Sequence, residues 1–144
     1  MQKLDILAFG VHPDDVELGC GGTLLGAVAE GKKVGVIDLT LGELGTRGTV
    51  EQRLKEAKNA AEIMGIGVRE NLGMADGFFE NNKANQLLII ETIRRFQPSI
   101  VFCNAPADRH PDHGRASKLV EDASFLAGLS KIETSHNGVA QLAW

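Results

Sequence analysis

The sequence is poor in cysteine. It holds two in 144 residues, Cys20 and Cys103, far apart and outside any C-x-x-C pair. That excludes a disulfide framework and fits a reducing cytoplasm. Each thiol is expected to be buried and inert. Excess positive charge is also lacking: 15 Lys and Arg stand against 19 Asp and Glu, a formal net charge of −4. Nothing electrostatic calls for a nucleic-acid partner. No apolar run reaches the length of a membrane span. The N-terminus lacks the basic segment, apolar core and cleavage site of a secretory signal. Internal repeats and low-complexity tracts are missing.

What is present is the composition of a soluble globular domain, 43% hydrophobic and 24% charged. The length suffices for one domain with a real core. Leu4 to Val11 reads as a buried strand, short, mostly apolar and followed by a Pro-Asp turn signal. Gly19 to Gly22 is a glycine-rich stretch, and Thr23 to Glu30 reads as a helix closed by Gly31. Lys33 to Leu39 is a second strand with β-branched Val34, Val36 and Ile37. After a loop from Thr40 to Gly48, Thr49 and Gln52 form a capping-box pattern for a helix running to Met64. Val68 to Leu72 is a short third strand, and Gly73 to Asn82 a loop. Ala84 to Phe96 is amphipathic, Ser99 to Cys103 is the fourth strand, and Gly114 to Leu129 the fourth helix. From Ser130 the pattern fades.

Four strand–helix alternations predict an α/β, Rossmann-like three-layer fold with a mainly parallel sheet in the order 3-2-1-4. In that order strands one and four are neighbours on either side of the crevice where strand order reverses, the place where such sheets bind ligands. Two segments follow those strands: His12-Pro13-Asp14-Asp15, and His110-Pro111-Asp112-His113. Three of the four histidines lie there. The fourth, His136, reads as a surface residue.

His12, Asp15 and His113 could supply the two-His, one-carboxylate set of a catalytic metal site. Zinc lowers the pKa of a bound water from about 15.7 to about 7. Asp14, beside a ligand but free to point elsewhere, is the natural base. A histidine held by a carboxylate, as His110 with Asp112, can donate to an oxyanion or a leaving amine. A lone His-Pro-Asp is often only a turn, but two such segments on one sheet edge argue against that. Gly19, Gly21 and Gly22 could instead cradle a phosphate, with Asp38 as a ribose-binding acid. Leu24, however, stands where a dinucleotide fingerprint needs glycine. A non-catalytic, Rossmann-like nucleotide- or sugar-binding module is therefore the alternative reading.

At these residues the chain resembles the LmbE-like, PIG-L-type zinc-dependent N-acetylglucosaminyl deacetylases. The likeness extends through Gly42-Glu43-Leu44-Gly45-Thr46-Arg47-Gly48-Thr49, Arg53 and Leu72-Gly73-Met74-Ala75-Asp76-Gly77. It is nearest to the bacterial deacetylases of bacillithiol synthesis, which act on N-acetylglucosaminyl-malate. The resemblance implies zinc at His12, Asp15 and His113, with Asp14 as general base and His110, oriented by Asp112, at the oxyanion and leaving group. Arg53 and Asp76, and more weakly Glu43 and Arg47, are implied to contact the sugar or its aglycone. The partner is then a small amino-sugar conjugate, and many members of the superfamily are homo-oligomers. Fe(II), Mn or Co would suit the same ligands. Residues 1–144 are expected to be a single deacetylase-type domain without the C-terminal part that family members carry. That part walls the substrate pocket and in some members lends a tyrosine, and this chain contains none.

Overall fold

A computed structural model describes residues 2–144. The elements are β1 (Ile6–Gly10), α1 (Asp15–Ala29), β2 (Val34–Thr40), α2 (Val50–Met64), β3 (Val68–Met74), α3 (Lys83–Phe96), β4 (Ile100–Phe102) and α4 (Pro111–Ala127). A hairpin of β5 (Ser135–His136) and β6 (Val139–Ala140) follows. The four main strands are parallel and lie in the order β3-β2-β1-β4, as expected.

Residues alternate across the sheet and divide the core in two. Ile6 and Ala8 of β1, with Val34 and Val36 of β2, pack against Val16, Leu24, Ala61 and Met64 of α1 and α2. Leu7 and Phe9, with Ile37 and Leu39, face Ile89, Ile93, Leu119 and Ala123 of α3 and α4. Both faces of β1 and β2 are thus covered, and every residue of the two strands is buried.

Helix α1 starts eight residues earlier than the sequence pattern suggested, at Asp15 instead of Thr23. The glycine-rich stretch is helical, with a break at Cys20, where φ is −144°. Each helical glycine costs about 1 kcal/mol against alanine. Burial of Val16, Gly21 and Leu24 under the sheet outweighs that local preference. Thr49 caps α2 as predicted, its side chain accepting the Gln52 N–H at 3.1 Å. Strand β3 runs two residues past the expected Leu72. Cys103 is exposed and Cys20 half-buried, so neither is the buried thiol that was expected, although partial desolvation raises the pKa of both. His136 is partly covered and pairs with Glu91 at 2.9 Å. Among the described residues no helix is long and apolar enough to cross a membrane.

The chain after α4 is fastened by one buried cation. Arg94 is 1% exposed. It donates to the carbonyls of Ala127, Leu129 and Ile132 and to the Thr134 hydroxyl, at 2.6 to 3.0 Å. The first of these carbonyls belongs to the last residue of α4, where a cation also meets the negative end of the helix dipole. Arg94→Met should therefore destabilise the protein by about 3 kcal/mol or more, because several acceptors lose a charged donor at once. Urea unfolding of the two proteins measures the difference.

Candidate functional site

The segment His12–Asp15 joins β1 to α1, and His110–His113 opens α4 at the end of the loop that follows β4. Strands β1 and β4 pair in register, Ile6 with Ile100 and Ala8 with Phe102. Both segments consequently leave the same edge of the sheet, at the crevice where strand order reverses.

There His12, Asp15 and His113 converge. Asp15 Oδ2 lies 3.4 Å from Nδ1 of His12 and 3.1 Å from Nε2 of His113. The same oxygen accepts the backbone N–H groups of Val11 and His12, at 3.1 and 3.0 Å. Burial would raise the Asp15 pKa, but these donors and the two imidazoles hold it below 3.8. Each histidine carries a carboxylate on its other nitrogen. Asp76 Oδ1 is 2.9 Å from Nε2 of His12, and Asp108 Oδ2 is 3.0 Å from Nδ1 of His113. Burial lowers the pKa of His12, but Asp15 and Asp76 together push it up to about 9.

The three residues fit a cation. Their ligand atoms lie within 4.8 Å of one another. His113 Nε2 is buried without a hydrogen-bond partner, although it is aimed at Asp15. Two imidazole nitrogens and one carboxylate oxygen are a donor set that suits zinc and its first-row neighbours. His12, His110 and Asp112 form a second cluster of the same kind. Its carboxylate is already committed, however: Asp112 Oδ1 pairs with Arg115 at 2.7 Å and Oδ2 accepts the Gly77 N–H at 2.8 Å.

His110 is oriented by Asp112, but not through the carboxylate. His110 is the N-cap of α4, and its side chain accepts the backbone N–H of Asp112, at Nδ1 and 3.2 Å. A neutral ring that accepts at Nδ1 carries its proton on Nε2 and can donate there. The His110 ring stacks on His113 with centroids 4.9 Å apart.

Asp14 is exposed and caps no helical N–H with its side chain. It opens on a cavity of about 240 Å³ bordered by Arg47, Gln52, Arg53 and Glu56. Arg53 also donates to the Arg47 carbonyl at 3.3 Å. Gly42, at φ +64°, lets its loop pass this guanidinium, since a Cβ there would stand 3.1 Å from Arg53 Nη1. Glu43 and Asp76 are not walls of that cavity. Glu43 Oε1 accepts the Asp76 N–H at 2.8 Å, and Asp76, 6% exposed, accepts the Leu44 N–H at 2.9 Å.

Three participants were not foreseen. Asp108 holds His113, Arg115 holds Asp112, and Asn104 Nδ2 reaches Asp15 Oδ2 at 3.4 Å. All lie in or just after the loop already marked by its histidines, but nothing in a loop's sequence says which side chain turns inward. The nucleotide reading finds no support here. Gly19 to Gly22 lie inside α1, and Asp38 is buried against Arg69 at 2.8 and 3.0 Å. Burial pushes the Asp38 pKa up to about 6 even with that partner beside it.

Residues 7–124 match the family described as PIG-L, GlcNAc-PI de-N-acetylase. A diacetylchitobiose deacetylase of Thermococcus kodakarensis is 33% identical over 140 residues, which cover 90% of this chain and 52% of that protein. A probable N-acetyl-alpha-D-glucosaminyl L-malate deacetylase 2 of Bacillus anthracis is 30% identical over 125 residues, covering 78% and 55%. Among solved structures, the conserved protein TT1542 of Thermus thermophilus superposes with a TM-score of 0.86 at 49% identity, covering 89% of this chain and 58% of that one. The 4-carboxy-2-hydroxymuconate hydratase GalB of Pseudomonas putida does so with 0.78 at 26%, covering 90% and 58%. Deacetylase and hydratase names thus occur on one fold, and the choice between them has to come from side chains. The chain spans between 52% and 63% of the length of the curated relatives it matches.

The His12 contacts set a pH dependence for the metal-free protein. Its pKa is raised from 6.5 to about 9, so the stabilisation is complete below pH 6.5 and is lost as pH rises through 9. On the acid side Asp15 and Asp76, both held below 3.8, keep their charge until lower pH. The melting temperature of chelator-treated protein should fall from pH 6.5 to 9, and His12→Gln should flatten that fall. Thermal unfolding across the range checks both.

Proposed function

Because the chain belongs to the PIG-L family of GlcNAc-PI de-N-acetylases, we propose that it is a zinc-dependent amide hydrolase acting on an N-acetylglucosamine conjugate. The products are acetate and the free amine. The observation that carries this reading is the convergence of His12 and His113 on Asp15, beside an exposed Asp14. His12, Asp15 and His113 would hold the cation, which when bound supplies Lewis acidity toward water and the acetamide carbonyl. Fe(II), Mn and Co share the affinity for such ligands, and metal availability decides among them.

The chain's own residues provide the proton transfers. Asp14 takes a proton from the water as its oxygen bonds to the carbonyl carbon. It returns that proton to the nitrogen as the C–N bond breaks. His110, with its proton on Nε2, donates a hydrogen bond where negative charge gathers on the carbonyl oxygen. Asp112 acts from behind, its backbone N–H fixing the His110 ring and its buried carboxylate fixing the turn at Gly77.

The cleft beside Asp14 offers two guanidinium groups, Arg47 and Arg53, against the carboxylates of Asp14 and Glu56, and either guanidinium could pair with a carboxylate on the aglycone. N-acetylglucosaminyl-malate, with two carboxylates on the aglycone, meets that description. Arg47 and Arg53 are the residues assigned to it, and Glu43 supports the loop that carries Arg47. The unpaired thiols accord with work in the cytoplasm on a small soluble substrate.

Purified protein should contain about one zinc per chain by elemental analysis, and His113→Ala should lose it. A folded chain that takes up no metal when zinc is supplied would overturn the reading. Asp14→Asn should keep the metal and release amine from N-acetylglucosaminyl-malate roughly 10²- to 10⁴-fold more slowly, as expected when a general base is removed. Full activity in chelator-treated protein would exclude the proposed chemistry.

A further inference from the structure

Asp76 stands out because its environment is that of a support and not of a substrate contact. It is 6% exposed. One carboxylate oxygen meets Nε2 of His12 at 2.9 Å and the other accepts the Leu44 N–H at 2.9 Å. Its own backbone N–H donates to Glu43 at 2.8 Å. Asp76 is therefore held from two points on the loop after β2, its carboxylate by the Leu44 N–H and its backbone by Glu43, while the carboxylate engages the imidazole. A carboxylate has no proton to donate in this contact, so Nε2 of His12 must be the donor. That leaves Nδ1, on the far side of the ring, to face Asp15 Oδ2 at 3.4 Å.

His113 repeats the arrangement with its nitrogens exchanged. Asp108 takes Nδ1 at 3.0 Å, and Nε2 faces Asp15 at 3.1 Å. Two carboxylates outside the cluster therefore turn the remaining nitrogen of each histidine toward one oxygen. They differ in surroundings: Asp76 is 6% exposed and Asp108 35%. A charge in water is screened and its side chain is free to move, so the buried member exerts the stronger hold.

We propose that Asp76 is a positioning residue that fixes His12 as an Nδ1 ligand, with Asp108 doing the same for His113 as an Nε2 ligand and more weakly. The inference rests on the metal-site reading above. Carboxylates placed behind ligating histidines set ring orientation and tautomer, and their removal costs about 10- to 100-fold in metal affinity. The same contacts tie the loop carrying Arg47 to the ligand cluster, because Leu44 and Glu43 hold Asp76 from that loop.

The test is zinc affinity measured by competition with a chromophoric chelator, together with nitrogen-15 NMR of the histidine rings in zinc-loaded protein. Asp76→Ala should weaken zinc binding by about 10- to 100-fold. Asp76→Asn, which keeps the shape and one acceptor oxygen, should fall between it and the parent, so a misfolded alanine variant does not decide the matter. Asp108→Ala should weaken zinc less than Asp76→Ala. In the parent protein His12 should show a protonated Nε2 and a metal-shifted Nδ1. Parent-like zinc affinity in both Asp76 variants, or a His12 that carries its proton on Nδ1, would overturn the role given to Asp76 while leaving the metal site standing. A parent protein that binds no zinc would overturn both.

Discussion

One oxygen atom, Asp15 Oδ2, receives the N–H groups of Val11 and His12 and faces a nitrogen from each of His12 and His113. The rest of the site is arranged so that this meeting can occur. Strand β1 carries His12 and Asp15 to the sheet edge, and β4 brings His113 to the same edge from the other end of the chain. Helix α1 begins at Asp15 itself, so the carboxylate sits at the positive end of a helix dipole. Without a cation the cluster already stabilises a proton on His12, raising its pKa to about 9. A metal on the proposed ligands would compete with that proton for one position, so its uptake would release acid.

Around this oxygen the support is layered. The turn Ala75–Gly77 feeds it twice: Asp76 reaches His12, and the Gly77 N–H reaches Asp112. Gly77 has φ +76°, a conformation that a side chain would strain. Arg115 closes the arrangement by pairing with Asp112 and reaching the Gly77 carbonyl at 3.4 Å. A short loop between β3 and α3 thus braces residues from both His/Asp segments. The cleft beside Asp14 is built separately, from Arg47, Gln52, Arg53 and Glu56 on the loop after β2 and on α2. That cleft meets the ligand cluster in two ways: Pro13 and Asp14 border it from between His12 and Asp15, and Glu43 and Leu44 of the loop carrying Arg47 hold Asp76.

Sheet order and the three converging residues could be read from the sequence, because they rest on patterns with a period and on a topology with few alternatives. Val34, Val36 and Ile37 announce a buried strand, and Thr49 with Gln52 announces a helix start. The first half of α1 could not be read, since Gly19, Gly21 and Gly22 argue locally against a helix that only sheet packing sustains. The β5–β6 hairpin is two residues per strand and offers no period to detect. Nor could Asp76 be distinguished from a solvated loop carboxylate, because its partner lies 64 positions away. Asp112 was expected to act through its carboxylate and acts on His110 through its backbone N–H, which every residue but proline possesses. Side-chain identity carries no signal of such a contact.

The pairing of β1 with β4 involves only three residue pairs, yet the whole cation cluster depends on it. Contacts between distant parts of a chain form late, because loop-closure entropy must be met before they give anything back. A chain emerging from synthesis would present His12, Asp14 and Asp15 long before His113 existed to complete the set. A cation held by the proposed set would require that pairing, so the appearance of a bound metal would report that the final parallel strand has docked.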